Sequence, residues 1–369
     1  MERGRLSAGD QKGYPVAGHK AVGLDIGTTC VRAAELSWTR NGVRLDKLGQ
    51  VGLPPGAVRD GEVVEPEAVT AAIKQLWAQA KFTTKKVIVG IANQKVVVRQ
   101  VDLPWMPADE MRRSLAFQVA DVIPMAVDEA ILDYHPLEEV RAEDGARQQR
   151  ILLVAAGREM VSSTLAAITA AGLHPAMVDL TPFALMRSLG ASDSLGLAGS
   201  AEALVEVGAS ITNIVVHQGG VPRFVRMLLQ GGADITESLS DQMGISGDEA
   251  ESLKLTSTLP SDAGAVGADP ASRVLETAAS AWIEEVRGSL DYYLAQPDAV
   301  RLDRIVLSGG GAQLRGLAYR LAMATGTPVD PAQPISRVAI GSTGLSEQQI
   351  AFLEPLTSVP VGLALGAAA

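Results

Sequence analysis

Cysteine is almost missing from this chain: 369 residues contain one, Cys30. No intrachain disulfide can form. With no Cys or His partner at ligand spacing, a cysteine-built metal site is also excluded. Cys30 reads as a small apolar side chain on a strand, and so cysteine-poor a chain is expected in the cytosol. Aromatic residues are only 4%. No apolar run approaches bilayer-spanning length. Residues 1–18 are polar and Gly-rich, lack the apolar stretch of a signal peptide, and read as a disordered arm. Positive charge is in deficit: 32 Lys and Arg stand against 42 Asp and Glu, a net charge of −10. That argues against general nucleic-acid binding. What the chain does have is apolar bulk, 47% of its residues, over a length that accommodates two or three domains.

The apolar patterning alternates between strand and helix. Ala21 to Ile26, Cys30 to Ser37 and a run starting near Leu45 read as three strands, with Asn41-Gly42 as the hairpin signal between the last two. From Pro66 to Lys81, Val69, Ile73, Leu76, Trp77 and Ala80 share one helical face, and Lys86 to Ala92 is a further strand. The stretch 94–175 has a different texture, strand-helix-strand-strand-helix, and reads as a small α+β insert. In it a helix runs from Pro107 to Val122, with Met111, Leu115 and Val119 as its apolar face. Ala130 to Leu137 and Ile151 to Ala156 are strands, and 138–150 reads as a polar hairpin loop. Strand and helix return at 177–189, and the Ser/Gly/Ala-rich 191–200 marks a boundary. A second strand-rich unit covers Ala203 to Leu229. Two helices follow, then a loop at 257–270, a long helix from Ser272 to Gln296, a strand at Arg304 to Leu307 and a helix from Leu314. Gly362 and Gly366 in the apolar tail from Val359 suggest close packing against the rest of the protein.

The chemistry centres on two turns. In Leu24-Asp25-Ile26-Gly27-Thr28-Thr29, a carboxylate ends a strand and is followed by Gly and two hydroxyl residues. Gly27 permits close approach of a phosphate, the amides and hydroxyls of Thr28 and Thr29 can donate to it, and Asp25 suits Mg²⁺ held through water. An ordinary turn has the same appearance. The pattern recurs, however, at Glu206-Val207-Gly208-Ala209-Ser210-Ile211-Thr212, again opening a three-stranded segment. Two such turns can clamp one polyphosphate between two similar domains, with Asp25 and Glu206 as the metal-facing carboxylates and Gly208, Ser210 and Thr212 joining the donors. Gly309-Gly310-Gly311, between a strand and a helix, allows backbone contact with a planar ring or a phosphate. Glu251 and Lys254, three apart on a helix, can hold a ribose hydroxyl and a base edge, or form a solvated ion pair.

In this order and spacing the four elements resemble the actin-like ATPase superfamily. Within it the chain is most similar to the branch containing the type IV pilus assembly proteins of the PilM family and the division protein FtsA. The resemblance is carried by Gly23 to Thr29, Leu103-Pro104, Ile123-Pro124, Leu180 to Leu185, Ala250-Glu251-x-x-Lys254, Gly309 to Leu317 and Gly362 to Leu365, and covers about 20–369. It implies a two-domain actin-like (ribonuclease H-like) α/β fold with an inserted α+β subdomain 1C of SHS2-like type. Subdomain 1A would be 19–93 and 176–199, with a helix near 356–369 returning to it. Subdomain 1C would be 94–175, 2A would be 200–230 with 303–345, and 2B would be 231–302. ATP with Mg²⁺ would sit in the interdomain cleft.

The resemblance also implies a cytoplasmic component of the pilus machine. It would bind the N-terminal segment of a PilN-like membrane protein, with other pilus proteins as further partners and only indirect contact with membrane. Two departures bear on turnover. Glu206 stands where the superfamily has Asp, and Thr181 stands where hydrolysing members place a water-orienting Gln or Glu, so hydrolysis is expected to be slow or absent. Trp105 and Met106, with Met111 and Leu115, are expected to form an apolar groove for the partner peptide, or else to be core. An FtsA-like division protein that polymerises at the membrane is the rival. The tail Gly362 to Ala369 carries no Lys or Arg, which disfavours a basic amphipathic anchor.

Overall fold

The structure, a computed structural model, describes residues 18–190, 201–259 and 270–368. The expected disordered arm (save Gly18), the boundary at 191–200 and most of the 257–270 loop lie outside the described residues.

Three antiparallel strands begin the chain: β1 (Lys20–Ile26), β2 (Cys30–Thr39) and β3 (Gly42–Gly52). Gly42, at φ +110°, makes the hairpin that Asn41-Gly42 signalled. A small hairpin of β4 (Val58–Arg59) and β5 (Glu62–Val63) leads to α1 (Pro66–Ala80), which opens on Pro and buries Val69, Ala72, Ile73 and Leu76. β6 (Lys86–Ile91) then runs parallel to β1. The insert follows as β7 (Val97–Pro104), α2 (Ala108–Gln118), β8 (Ala130–Arg141) and β9 (Arg147–Gly157), with sheet order β7-β9-β8. α3 (Arg158–Ala170), β10 (His174–Leu180) and α4 (Thr181–Leu189) return to the first sheet. Ala167 and Ile168 of α3 lie in the same core as the α1 residues Val69 and Ile73.

The second half repeats the plan. β11 (Ala201–Val207), β12 (Thr212–Gln218) and β13 (Val221–Leu228) form an antiparallel meander. α5 (Gly232–Met243), α6 (Gly247–Thr256) and α7 (Pro270–Leu294) cross over to β14 (Leu302–Ser308), and α8 (Leu317–Thr325) leads to β15 (Val329–Pro331). The two large sheets are ordered β10-β6-β1-β2-β3 and β15-β14-β11-β12-β13, so each strand has a counterpart; β16 (Ala339–Ile340) extends the first sheet beyond β3. From β16 the chain continues through α9 (Glu347–Leu353) to α10 (Ser358–Leu365), which buries Val359, Val361, Leu363 and Ala364 in the first domain. The close packing expected of Gly362 is present: a Cβ there would lie 1.9 Å from the Ala184 carbonyl oxygen.

Three local expectations are corrected. The polar stretch 138–150 is not a loop: β8 continues to Arg141 and β9 starts at Arg147. Glu138 pairs with Arg150, so a polar sequence lies in an exposed, ion-paired ladder. The helix expected to run from Pro107 to Val122 stops at Gln118. The helix after the Gly triplet starts at Leu317 rather than Leu314, because Gly316 takes φ +89° as its N-cap.

Candidate functional site

Register explains why the two acidic turns are alike. Asp25 pairs across β1–β2 with Arg32, and Glu206 pairs across β11–β12 with Asn213, each acid seven residues before its partner. The Gly27 N–H donates to the Cys30 carbonyl at 3.0 Å, and the Gly208 N–H to the Ile211 carbonyl at 2.9 Å, so both turns close in the same way. Asp25 lies 3.6 Å from an Arg32 guanidinium nitrogen. Asn213 Nδ2 donates to Glu206 Oε2 at 2.8 Å, while its buried Oδ1 accepts nothing among the described residues.

A cavity of about 1010 Å³ lies between the two sheets, with both turns on its wall. Asp25, Gly27, Thr28, Thr29 and Arg32 come from the first turn, and Glu206, Gly208 and Asn213 from the second. Burial raises the Asp25 carboxyl above its ordinary value against the opposing charge of Arg32. Glu206 is pushed from 4.5 to about 7, chiefly by burial; the Asn213 hydrogen bond opposes this and the Asp25 charge adds to it. Thr181 lines the same cavity.

Lys254 forms the i,i+3 ion pair with Glu251, whose carboxylate is half exposed while the lysine itself is buried. Its buried ammonium donates to the Gly232 carbonyl (2.8 Å) and Thr236 Oγ1 (2.8 Å), and pairs with Glu251 at 2.7 Å. That fixes α6 against the start of α5. There the Gly232 and Ala233 amides donate to the carbonyls of Gly208 and Ala209. Gly310 and Gly311 also line the cavity, Gly311 next to Gly232 at the start of α5; a Cβ at Gly310 would meet only Leu356, at 3.7 Å.

Three expected residues are not on the cavity wall. Thr212 is fully buried, donates to the Gln230 carbonyl at 2.7 Å and accepts from Trp282 Nε1 at 2.9 Å. Side chains alternate along a strand, so with Asn213 facing the cleft its neighbour Thr212 must face the core. Ser210 is also absent from the lining. Gly309, at φ +91°, makes the turn itself, packs on Val207 and donates its amide to the Pro355 carbonyl. Arg32 and Asn213 were missed from sequence, although pairing the two hairpins in register would have found both.

The four residues expected as partner groove or core divide between a buried pair and a more exposed pair. Met111 and Leu115 are buried between α2 and the insert sheet with Leu103, Ile151 and Leu153, the core placement of the two that their spacing allowed. Met106 is half-buried in that core, and Trp105, 40% exposed, lies under the Arg147 guanidinium at 4.0 Å. The opposite sheet face presents Val98, Val154 and Ala156 to Ile91, Leu180, Met160 and Phe183 near the strand ends of the first sheet. Ile131 on the edge strand β8 pairs with Ala156, shares that face and is 38% exposed.

Among the described residues, no group of three or more His, Cys, Asp or Glu could hold a metal unaided. No described helix is long and apolar enough to cross a membrane.

Two sheets of one topology, each presenting an acid-x-Gly turn to a shared cleft, define a two-domain protein of actin-like fold. MreB5 of Spiroplasma citri, solved with AMPPNP, shares that fold at 12% identity and TM-score 0.55, over 93% of this chain and 94% of that one. The chain belongs to the family of type IV pilus assembly protein PilM, which it matches over residues 23–368. A solved PilM–PilN type IV pilus biogenesis complex is 28% identical, with TM-score 0.82, over 95% of this chain and 98% of that chain. The cell division protein FtsA of Bacillus subtilis is 22% identical over 258 residues, 63% of this chain. The match spans little more than half of that relative, 57% of its length.

Proposed function

We propose that this protein is a cytoplasmic scaffold of type IV pilus assembly that binds ATP in its interdomain cleft and the N-terminal segment of a PilN-like membrane protein on its insert. The observation that carries this reading is the likeness to the PilM of the PilM–PilN complex along 95% of the chain. In this reading 19–93 and 176–199 with the C-terminal helix are subdomain 1A, 94–175 is 1C, 200–230 and 303–345 are 2A, and 231–302 is 2B.

The residues present fit a Mg²⁺-polyphosphate. Gly27 and Gly208 both line the cavity at the tight turns, Arg32 supplies the positive charge that the turns otherwise lack, and Lys254 with Glu251 would border the sugar end. Two carboxylates and the unpartnered Asn213 Oδ1 suit a cation that keeps its waters and takes its remaining ligands from phosphate. Bound Mg²⁺ would neutralise phosphate charge. Thr181 has too short a reach and too weak a basicity to orient water, so turnover is slow or absent.

Asp25→Ala and Gly310→Asp are each expected to weaken Mg²⁺-ATP binding by roughly 5- to 150-fold, the equivalent of about 1–3 kcal/mol. Titration calorimetry on wild type and variants tests this, and absence of binding to wild type at well above micromolar protein would reject the nucleotide reading.

For the partner, we infer a docking edge at β8, one of the two edges of the insert sheet, beside Ile131. A PilN-like N-terminal peptide is expected to slow hydrogen exchange in β8 and the first domain. Ile131→Asp should weaken it by at least about fivefold. Protection confined to 201–340 would reject the assignment. The FtsA-like alternative draws on the Bacillus FtsA match. Against it, the apolar face of α10 is already buried in the first domain and is not free to lie on a membrane.

A further inference from the structure

The chain's net charge is −10, yet one end of the first domain presents positive charge. Strand register builds that end. Val22 of β1 lies opposite Val87 of β6, and Lys86 of β6 lies opposite His174 of β10, so these three strands start level with one another. Lys20 of β1 pairs with Ser37 of β2, and Ser37 with Arg44 of β3. His174, Lys86, Lys20 and Arg44 thus form a row across adjacent strands of the sheet, about 19 Å wide at roughly 4.8 Å per strand. β1 runs from Lys20 towards Asp25, so the row is at the opposite end of the sheet from the cleft. Two connections extend it: the Arg40-Asn41 turn between β2 and β3, and 81–85 between α1 and β6. Lys20 Nζ donates to Thr83 Oγ1 at 3.2 Å and ties the second connection to the row.

The acids of this end face inward. Between Ile26 and Arg59 the sequence has only Glu35 and Asp46, and between Ala68 and Val101 it has none. Glu35 is fully buried, accepts from the Thr83 amide at 2.7 Å and pairs with Lys20 at 3.2 Å. Asp46, also buried, pairs with Arg44 at 2.6 Å and Lys20 at 3.6 Å. Lys20, Arg40, Arg44, Lys81, Lys85 and Lys86 are all exposed, and Arg40, Lys81, Lys85 and Lys86 have no carboxylate partner among the described residues. Lys81 also sits at the C-terminal end of α1, where the helix dipole favours a cation. Nothing of that kind accounts for Arg40, Lys85 or Lys86.

We propose that this end of the first domain binds an anionic lipid surface directly, through headgroup phosphates. This goes beyond the scaffold reading, in which the partner alone reaches the membrane. Charge complementarity selects lipid among anionic partners. A planar array of headgroups needs only one basic face, whereas a wrapping nucleic acid would meet the acidic remainder of a −10 chain. An acidic peptide docks on a groove or a free strand edge, and here the strands beneath the row are paired to one another. One basic patch gives weak, reversible attachment. Joined to a membrane-anchored partner, it sets which end of the protein meets the bilayer and turns the cleft away from the lipid.

The test is co-sedimentation of the full chain with vesicles of phosphatidylcholine alone and of phosphatidylcholine with phosphatidylglycerol. Wild type should bind only the anionic vesicles, and added salt should release it. Lys85→Gln with Lys86→Gln should weaken binding about 25-fold, at about fivefold per basic side chain. Arg112→Gln with Arg113→Gln, which removes two exposed cations from the insert, is the control and should stay within about twofold of wild type. Because Lys85 and Lys86 are exposed, thermal unfolding of their variant should match wild type. Equal binding to both kinds of vesicle, an unchanged Lys85/Lys86 variant or an equal loss in the control overturns the proposal. So does binding to poly-glutamate or duplex DNA without binding to vesicles. Neither nucleotide nor partner peptide is present, so failure here leaves the scaffold reading standing.

Discussion

Glu206→Gln is expected to stabilise the ligand-free protein at pH 8 by about 2 kcal/mol and to have a several-fold smaller effect at pH 5. The Glu206 carboxyl titrates near 7 in the folded chain against an ordinary 4.5, mainly because it is buried. A carboxyl whose folded pKa is raised binds its proton more tightly when folded. Its contribution is therefore fully present below about pH 4.5 and is lost as pH rises through 7. The full shift corresponds to about 3 kcal/mol at 1.36 kcal/mol per unit, and the partial exposure of the side chain reduces that. Gln keeps the volume and can still accept from Asn213, but it never ionises, so the penalty disappears. Urea unfolding of both proteins at pH 5 and pH 8 measures this; parallel pH profiles would show that Glu206 carries no such strain. Added Mg²⁺-ATP should stabilise wild type more than the variant at pH 8, because a cation relieves the ionised carboxylate and has nothing to relieve in Gln.

Gly362→Ala is expected to destabilise the first domain by about 3 kcal/mol or more, at or above the upper end of ordinary overpacking. The added Cβ would sit 1.9 Å from the Ala184 carbonyl oxygen and 2.5 Å from its carbon. Both are backbone atoms of α4, so no rotamer can relieve the clash and the helices must separate. Separation would also open the packing of Val361 and Leu363, which are fully buried. Gly288→Ala is the control: it is mid-helix in α7, nothing lies within 4 Å of its Cβ position, and the exchange should stabilise by about 0.5–1 kcal/mol. Thermal unfolding that shifted Gly362→Ala no further than its control would mean that α10 does not pack on α4 as described.

Much of the fold was legible in the sequence because it is written in local periodicity. The alternation of β1 and β2, the Asn41-Gly42 turn, the α1 face of Val69, Ile73 and Leu76, and both acid-x-Gly turns depend on neighbours within a few residues. The similarity of the two turns already implied two like domains facing one ligand. Where the local signal is weak, reading failed. Polar residues 138–150 looked like a loop, since nothing in them says that an ion-paired ladder will form once β8 and β9 meet.

The sequence alone determined the strand-ending carboxylates, the glycines beside them and the family they belong to, because those depend on residue type and spacing. Tertiary structure decided which side each residue serves. Arg32 and Asn213 enter the site only through their register opposite Asp25 and Glu206, while Thr212 leaves it for Trp282 one position away. Met111 and Leu115 could be groove or core by their helical spacing, and the sheet under α2 makes them core. Periodicity records that a residue is on a face, but what covers that face is a long-range contact, and no local pattern encodes it.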